Sequence, residues 1–270
     1  MTVRLLVDGR ADAAVSALDR GLGYGDGLFE SIRMIGTTAP LWSRHMQRLG
    51  ESCTRLHLPM PDADQLWGEA LQVSRGMPQA VIRITLTRGL GERGYAPPPT
   101  ARPTRIVAAF APPPMHRQPL RLRLCDIRLA EQPALAGMKH LNRLEQVLAR
   151  AEWNDPSIAE GVLCDGHDRV ISATMANLFA CVDGQWLTPS LDRCGVAGVA
   201  RAEVLARCPW ITVGELSLAA LRGASEVFLS SSVRGIAPVQ SFDGHDCRPG
   251  DVTRQLQQHW LGLGFSMELA

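Results

Sequence analysis

The sequence predicts an α+β protein, α/β mixed in element order, with two domains built on antiparallel and mixed sheets. Three features predict it. Strand-like and helix-like segments are interleaved along the 270 residues. Several strand pairs are separated only by turn dipeptides, Asp165-Gly166 and Asp183-Gly184, of the kind tight hairpins use. A Pro-rich stretch, Ala111-Pro-Pro-Pro-Met-His-Arg-Gln-Pro119, breaks the chain near its middle. A doubly wound parallel sheet would need long helical crossovers instead of short turns.

The elements follow in order. Residues 3–7 form an apolar strand closed by Asp8-Gly9. Residues 28–35 and 39–42 flank Gly36-Thr37-Thr38 and read as a hairpin. Trp42, Met46, Leu49, Cys53 and Leu56 are spaced four, three, four and three apart, which makes one helical stripe. Residues 62–75 read as a second helix. In 80–88, Ile82, Ile84 and Leu86 alternate with Arg83, Thr85 and Thr87, the pattern of a half-buried strand. Residues 105–111 are another strand. Three successive prolines cannot continue a strand or a helix, so the boundaries expected are a domain at 1–111, a linker at 112–119 and a larger domain at 120–270. The second half opens with a strand at 120–129. Leu141, Leu144, Leu148 and Ala151 share a stripe and predict a helix. Hairpins are expected at 161–174 and 178–187, helices at 198–208 and 252–263, and a strand at 227–230.

Composition limits the function. Lys plus Arg total 28 and Asp plus Glu total 27, a net charge of +1, without the basic excess that phosphate backbones demand. No nucleic-acid partner is expected, and no apolar run reaches membrane-spanning length. The N-terminal stretch carries Asp8, Arg10 and Asp12 where a signal peptide needs an apolar core. The 7 cysteines have no C-x-x-C spacing, so neither a metal site nor a disulfide framework is expected. These features together read as cytoplasmic.

Four segments could carry chemistry. Gly89-Leu-Gly91-Glu-Arg-Gly94 is formally G-x-G-x-x-G, but Tyr95-Ala-Pro-Pro-Pro follows and forbids the helix a dinucleotide fingerprint requires. It reads as a glycine-rich loop whose Arg93 could hold a carboxylate. Asp19-Arg-Gly-Leu-Gly-Tyr-Gly-Asp-Gly27 is dense enough in glycine to approach another surface closely, or is a plain tight loop. Lys139 stands just before the leucine stripe and off it, and Asn142 and Arg143 would share its side. A lysine at a helix start opposes the dipole; it is either a solvated surface residue or an amine nucleophile or base. Cys194-Gly-Val-Ala-Gly-Val-Ala-Arg201 opens a helix with small residues, where free N–H groups bind anions such as phosphate, and Ser230-Ser231-Ser232 could add hydroxyls.

Together these segments resemble the fold-type IV pyridoxal-phosphate enzymes, the class-IV aminotransferase family, and most closely its aminodeoxychorismate lyases. Tyr24-Gly-Asp-Gly-Leu-Phe-Glu30 resembles the family's N-terminal glycine loop, and His45-Met-Gln-Arg48-Leu49 its H-x-x-R-L helix. Arg88-Gly-Leu-Gly-Glu-Arg-Gly-Tyr95 and Lys139-His-Leu-Asn-Arg-Leu-Glu-Gln146 resemble the lyases' own runs, and Asn177-Leu-Phe179 the N-L-F strand. The resemblance implies a D-amino-acid-aminotransferase-like fold of two domains with pyridoxal 5'-phosphate in the cleft between them, and a homodimer. It implies that Lys139 carries the cofactor and moves protons. Arg48, Ser172, Asn177, Val199, Ala200 and Ser232 would contact the cofactor. Arg93, Tyr95, Arg33 and Phe29 would contact the substrate, 4-amino-4-deoxychorismate, which yields 4-aminobenzoate and pyruvate for folate synthesis. An aminotransferase acting on D-amino or branched-chain amino acids is the alternative on the same scaffold, and a non-catalytic cofactor-binding module the alternative outside it. One position departs from the family pattern: Ser172 stands where most members carry a glutamate facing the pyridine nitrogen.

Overall fold

The computed structural model describes residues 4–113 and 119–265; most of the expected 112–119 linker, and residue 3 of the first strand, lie outside them. The elements are β1 (Arg4–Val7), α1 (Arg20–Tyr24), β2 (Gly27–Ile35), α2 (Trp42–Arg55), α3 (Ala63–Ser74), β3 (Gln79–Thr87) and β4 (Arg105–Phe110) in the first half. The second half holds β5 (Leu120–Leu129), α4 (Leu144–Ala151), β6 (Glu160–Asp165), β7 (Val170–Ala173), β8 (Asn177–Val182), β9 (Gln185–Pro189) and α5 (Val199–Arg207). It closes with β10 (Thr212–Gly214), α6 (Leu218–Arg222), β11 (Glu226–Ser231), β12 (Gly235–Phe242), β13 (His245–Asp246) and α7 (Asp251–Gly262).

Two compact units result, one of residues 4–113 with Met138–Asn142, the other of 119–137 with 143–265. The first is a four-stranded sheet in the order β1-β4-β3-β2, every pair antiparallel. Alternation sets its faces. Leu28, Ile32, Met34, Ile82, Ile84, Leu86 and Val107 are buried together with Leu49, Leu66 and Ala70 of α2 and α3. The α3 helix starts where Asp62 accepts from the Asp64 and Gln65 amides, a standard N-cap.

The second unit holds a nine-stranded sheet in the order β10-β9-β8-β11-β12-β5-β6-β7, with β13 beside β12. It is mixed: β5 runs parallel to both β6 and β12, while the β6–β7, β8–β9 and β11–β12 pairs are antiparallel. The two hairpins expected from sequence form at their dipeptides. Asp183 and Gly184 both have positive φ, at 49° and 77°, as an inverse turn requires. At the other hairpin the Asp165 carboxylate accepts from the His167 and Arg169 amides and binds the Arg169 guanidinium.

Four expectations differ from the structure for physical reasons. The 39–42 segment is not a strand: β2 takes β3 as its partner over nine residues, Pro40 has no N–H to pair, and α2 starts at Trp42. The glycine loop contains a short helix, α1, capped by Asp19, which accepts from the Gly21 amide. The leucine stripe does not start at Leu141. The helix begins at Leu144, and Leu144 and Leu148 are 68% and 52% exposed. Met138–Asn142, expected in the 120–270 domain, packs instead with the first unit.

Candidate active site

The placement of Lys139 follows from a strand edge. Phe29 N–H donates to the Lys139 carbonyl at 2.9 Å, and Leu141 N–H donates to the Gly27 carbonyl at 3.0 Å. Leu28 and His140 form an antiparallel bridge. The lysine therefore sits on an extended strip along the open edge of β2, not on a helix, so Asn142 and Arg143 do not share a helical side with it. Asn142 turns the other way and donates to the Gly25 carbonyl at 3.2 Å. The glycines beside it answer to this contact: a Cβ at Gly25, whose φ is 64°, would lie 2.5 Å from the Asn142 Oδ1. A Cβ at Gly27 would lie 2.4 Å from the Leu86 carbonyl oxygen.

In antiparallel pairing, residues directly opposite share a face. Lys139 thus stands with Phe29, and its Nζ lies 4.4 Å from the centre of that ring. Phe29 and Arg33 are both buried, on the face of β2 away from the helices. On the helix-covered face, Glu30 meets α2. His45 and Arg48 are three residues apart and present one side. His45 Nδ1 is 2.6 Å from Glu30 Oε2, and Arg48 Nε is 2.9 Å from Glu30 Oε1, with a second Arg48 N–H bonding the other oxygen. Burial alone would push the Glu30 carboxyl up, but the Arg48 charge and the His45 hydrogen bond outweigh it and hold it at about 2. Burial pushes His45 down against the pull of Glu30, and the charges of Arg48 and Lys139 lower it further. His45 is therefore neutral at pH 7, gives its Nδ1–H to Glu30, and leaves a buried Nε2 without a partner.

Arg93 and Tyr95 lie on the 88–96 loop, where no helix forms. Both are exposed, Tyr95 at 87%. Sequence reasoning missed what fixes this loop. Buried Arg20 donates to the Gly94, Tyr95 and Ala96 carbonyls at 3.0, 3.0 and 3.3 Å, and its Nε binds Asp26. Tyr24 Oη accepts from Gly94 N–H at 3.0 Å. Asp26 also binds Arg88, whose other N–H groups reach the Leu56 and His57 carbonyls. The signal was present as charged residues set among the glycines, but not the partners.

The second unit brings together Asn177, Val199 and Ala200. Asn177 Nδ2 donates to the Val196 carbonyl at 2.9 Å, which fixes the turn into α5. Gly198 caps α5 with no side-chain bond, and a Cβ there would lie 2.0 Å from the Asn177 Oδ1. Opposite Asn177 in the β8–β11 ladder stands Ser230, 2% exposed, with a buried hydroxyl that has no partner. An uncapped helix start, a glycine with no room for a side chain and an unsatisfied hydroxyl fit an anionic group such as a phosphate. Ser232 is half-buried beyond the end of β11. Ser172 is buried on β7, opposite Leu163. The buried carboxylate Glu160 lies on the neighbouring strand, where it accepts from Thr174 Oγ1. Alternation puts it on the other face of the sheet from Ser172, so it does not replace the missing glutamate there. Among the described residues no cluster could hold a metal ion, and no helix is long and apolar enough to cross a membrane.

The family model for class IV amino-transferases matches residues 27–242, and the chain belongs to that family. Within it, the chain is 35% identical over 263 residues to the aminodeoxychorismate lyase of Vibrio harveyi, covering 93% of this chain and 97% of that protein. The crystal structure of 4-amino-4-deoxychorismate lyase from Pseudomonas aeruginosa superposes with a TM-score of 0.90 at 46% identity, over 96% of this chain and 98% of that one. The Escherichia coli branched-chain amino acid aminotransferase superposes at 0.85 and 27% identity, over 98% and 95%.

Proposed function

We propose that this chain is a pyridoxal-phosphate-dependent carbon–oxygen lyase that converts 4-amino-4-deoxychorismate to 4-aminobenzoate and pyruvate. The observation that carries the reading is the near full-length likeness, at 35% and 46% identity, to two enzymes of that name. The reading supplies folate synthesis, and we propose that the protein works in the cytoplasm. The exposed Leu144, Val147 and Leu148 share one face of α4 and support a homodimer.

Pyridoxal phosphate, when bound, supplies an electron-withdrawing ring that stabilises negative charge on the carbon next to the substrate nitrogen. Lys139 is the residue proposed to hold it. Arg48, the Val199 and Ala200 amides and Ser232 are proposed for its phosphate, with Asn177 and Ser172 for its ring. With cofactor and substrate bound, the Lys139 amine would take the proton from the amine-bearing ring carbon. The bond from the neighbouring ring carbon to the enolpyruvyl oxygen breaks, its electrons leave with that oxygen, and the ring becomes aromatic. Protonation of the departing enolate, by Lys139 or water, gives pyruvate. Phe29 packs against the lysine, and Arg33, Arg93 and Tyr95 are the residues proposed for substrate contact. Ser172 cannot match a pyridinium charge as a carboxylate does. A weaker electron sink suits elimination, where a leaving group takes the electrons, better than amino transfer. The aminotransferase reading rests on the relatives of that activity.

The test uses the purified protein loaded with pyridoxal phosphate. Visible absorbance that borohydride bleaches, with the mass tag on Lys139, and formation of 4-aminobenzoate and pyruvate in equal amounts are the expected results. A Lys139→Ala variant should lose turnover by a factor of at least about 10³, the scale of a lost base and anchor. A protein that takes up no cofactor, or that transfers amino groups to keto acids without releasing 4-aminobenzoate, overturns the reading.

A further inference from the structure

The helix-free face of the first sheet sets two cations, Arg83 and Lys139, against one aromatic ring, Phe29, and carries a third, Arg33, further along the strand of that ring. Arg83 stands opposite Ser31 in the β2–β3 ladder, which makes Phe29 and Arg33 its diagonal neighbours on that face. The Arg83 guanidinium carbon lies 4.2 Å from the centre of the Phe29 ring, and the Lys139 Nζ lies 4.4 Å from the same centre. The triangle through that ring puts the two charged groups no more than about 9 Å apart.

Neither arginine has a carboxylate among the described residues. Arg83 Nε reaches only the Thr85 hydroxyl, at 3.4 Å. Arg33 donates one N–H to the Gln79 side chain, and its Nε and Nη1 are buried with no partner although the residue is 4% exposed. The other deeply placed arginines of this unit are matched: Arg20 and Arg88 to Asp26, Arg48 to Glu30, and Arg105 to Glu69. Leaving buried guanidinium N–H groups unsatisfied is costly, which makes Arg33 a site for an anion from outside. Arg83 is exposed and has no carboxylate among the described residues, so it is open to the same anion.

We propose that Arg83 and Arg33, beside Phe29 and Lys139, form the receptor for the carboxylates of the substrate. The inference rests on the proposed function and sharpens it. Guanidinium forks grip carboxylates bidentately, and a dicarboxylate gives each arginine one partner while Lys139 faces the amine-bearing carbon. Arg83 is thereby a specificity-determining residue that motif reading does not single out, because in the sequence it is one polar position of an alternating strand. Arg93, exposed on the 88–96 loop, is not needed for this grip.

Arg83→Ala and Arg83→Lys, both at an exposed position, are compared with wild type after loading with pyridoxal phosphate. Expected for Arg83→Ala is unchanged cofactor absorbance, a 10- to 100-fold rise in KM for 4-amino-4-deoxychorismate and a small change in kcat, on the scale of one charge-assisted contact. Arg83→Lys should recover part of the KM. The inhibition constant of chorismate, a dicarboxylate whose hydroxyl replaces the amine, should rise in parallel. Unchanged KM and chorismate inhibition overturn the proposal, as does a change confined to the oligomeric state, which would assign the arginines to carboxylates of a second copy. If wild type forms no 4-aminobenzoate, the function reading fails on its own. Chorismate binding, read by displacement in wild type and Arg83→Ala, then still decides the receptor.

Discussion

Replacing Glu30 by glutamine keeps the shape and removes the charge from the most enclosed ion pair of the first unit. The Glu30 and Arg48 side chains are only 2% and 12% exposed, so solvent screens them little. The carboxyl sits at about 2 in the folded protein against an ordinary 4.5, a difference worth roughly 3 kcal/mol in favour of the charged form. That agrees with the 3–5 kcal/mol or so typical of breaking a buried pair from one side. The variant should therefore lose about 3 kcal/mol at pH 7, and its Tm should fall by roughly 5–10 °C. The pH dependence isolates the cause. A folded value below the unfolded one gives stability that is complete above pH 4.5 and drains as the pH falls toward about 2. By pH 3 roughly half or more of the gap between the two proteins should be gone. His45, also lowered, drains stability below its ordinary 6.5 and loses the upward pull of Glu30 in the variant, so the comparison is repeated with His45→Gln in both proteins. Urea unfolding of both from pH 7 to pH 3, followed through the first transition, reads it. A gap under about 0.5 kcal/mol at pH 7, or one that stays constant to pH 3, would refute the reasoning.

Two other changes test the second unit. Gly198→Ala puts a methyl 2.0 Å from the Asn177 Oδ1 and should cost about 1–3 kcal/mol. It should also weaken pyridoxal phosphate binding about tenfold or more, read by titration of the apoprotein; unaltered affinity would remove α5 from the phosphate site. Ser172→Glu restores a carboxylate and should raise the amino-transfer half-reaction, measured by single-turnover absorbance, without raising lyase turnover. Higher lyase activity with no gain in transfer would show that the serine is not tuned to elimination.

The elements that sequence made legible are those decided locally. The Ile82/Ile84/Leu86 alternation, the Asp62 cap and the two Asp-Gly turns need only near neighbours, and each appears where its pattern puts it. The failures are places where a distant partner decides. Leu141 fits the helical stripe by spacing, yet its N–H goes to Gly27, more than a hundred residues earlier. Pairing along β2 outweighs a helical propensity of a few tenths of a kcal/mol per residue.

The same distinction governs the candidate site. Motif residues such as Lys139 and Arg48 stand out because their neighbours form recognisable runs. Glu30 and Arg20 lie inside such runs, yet what they do depends on partners the runs do not name: the α2 side chains in one case and the 94–96 carbonyls in the other. Arg83 lies outside every run. It becomes visible only as a charge balance that fails to close: an arginine with no carboxylate among the described residues, stacked on the ring that also receives the lysine. A ligand's charge has no place in the chain's own sequence, so the residues that meet it read as surplus until the structure shows which cations are already neutralised.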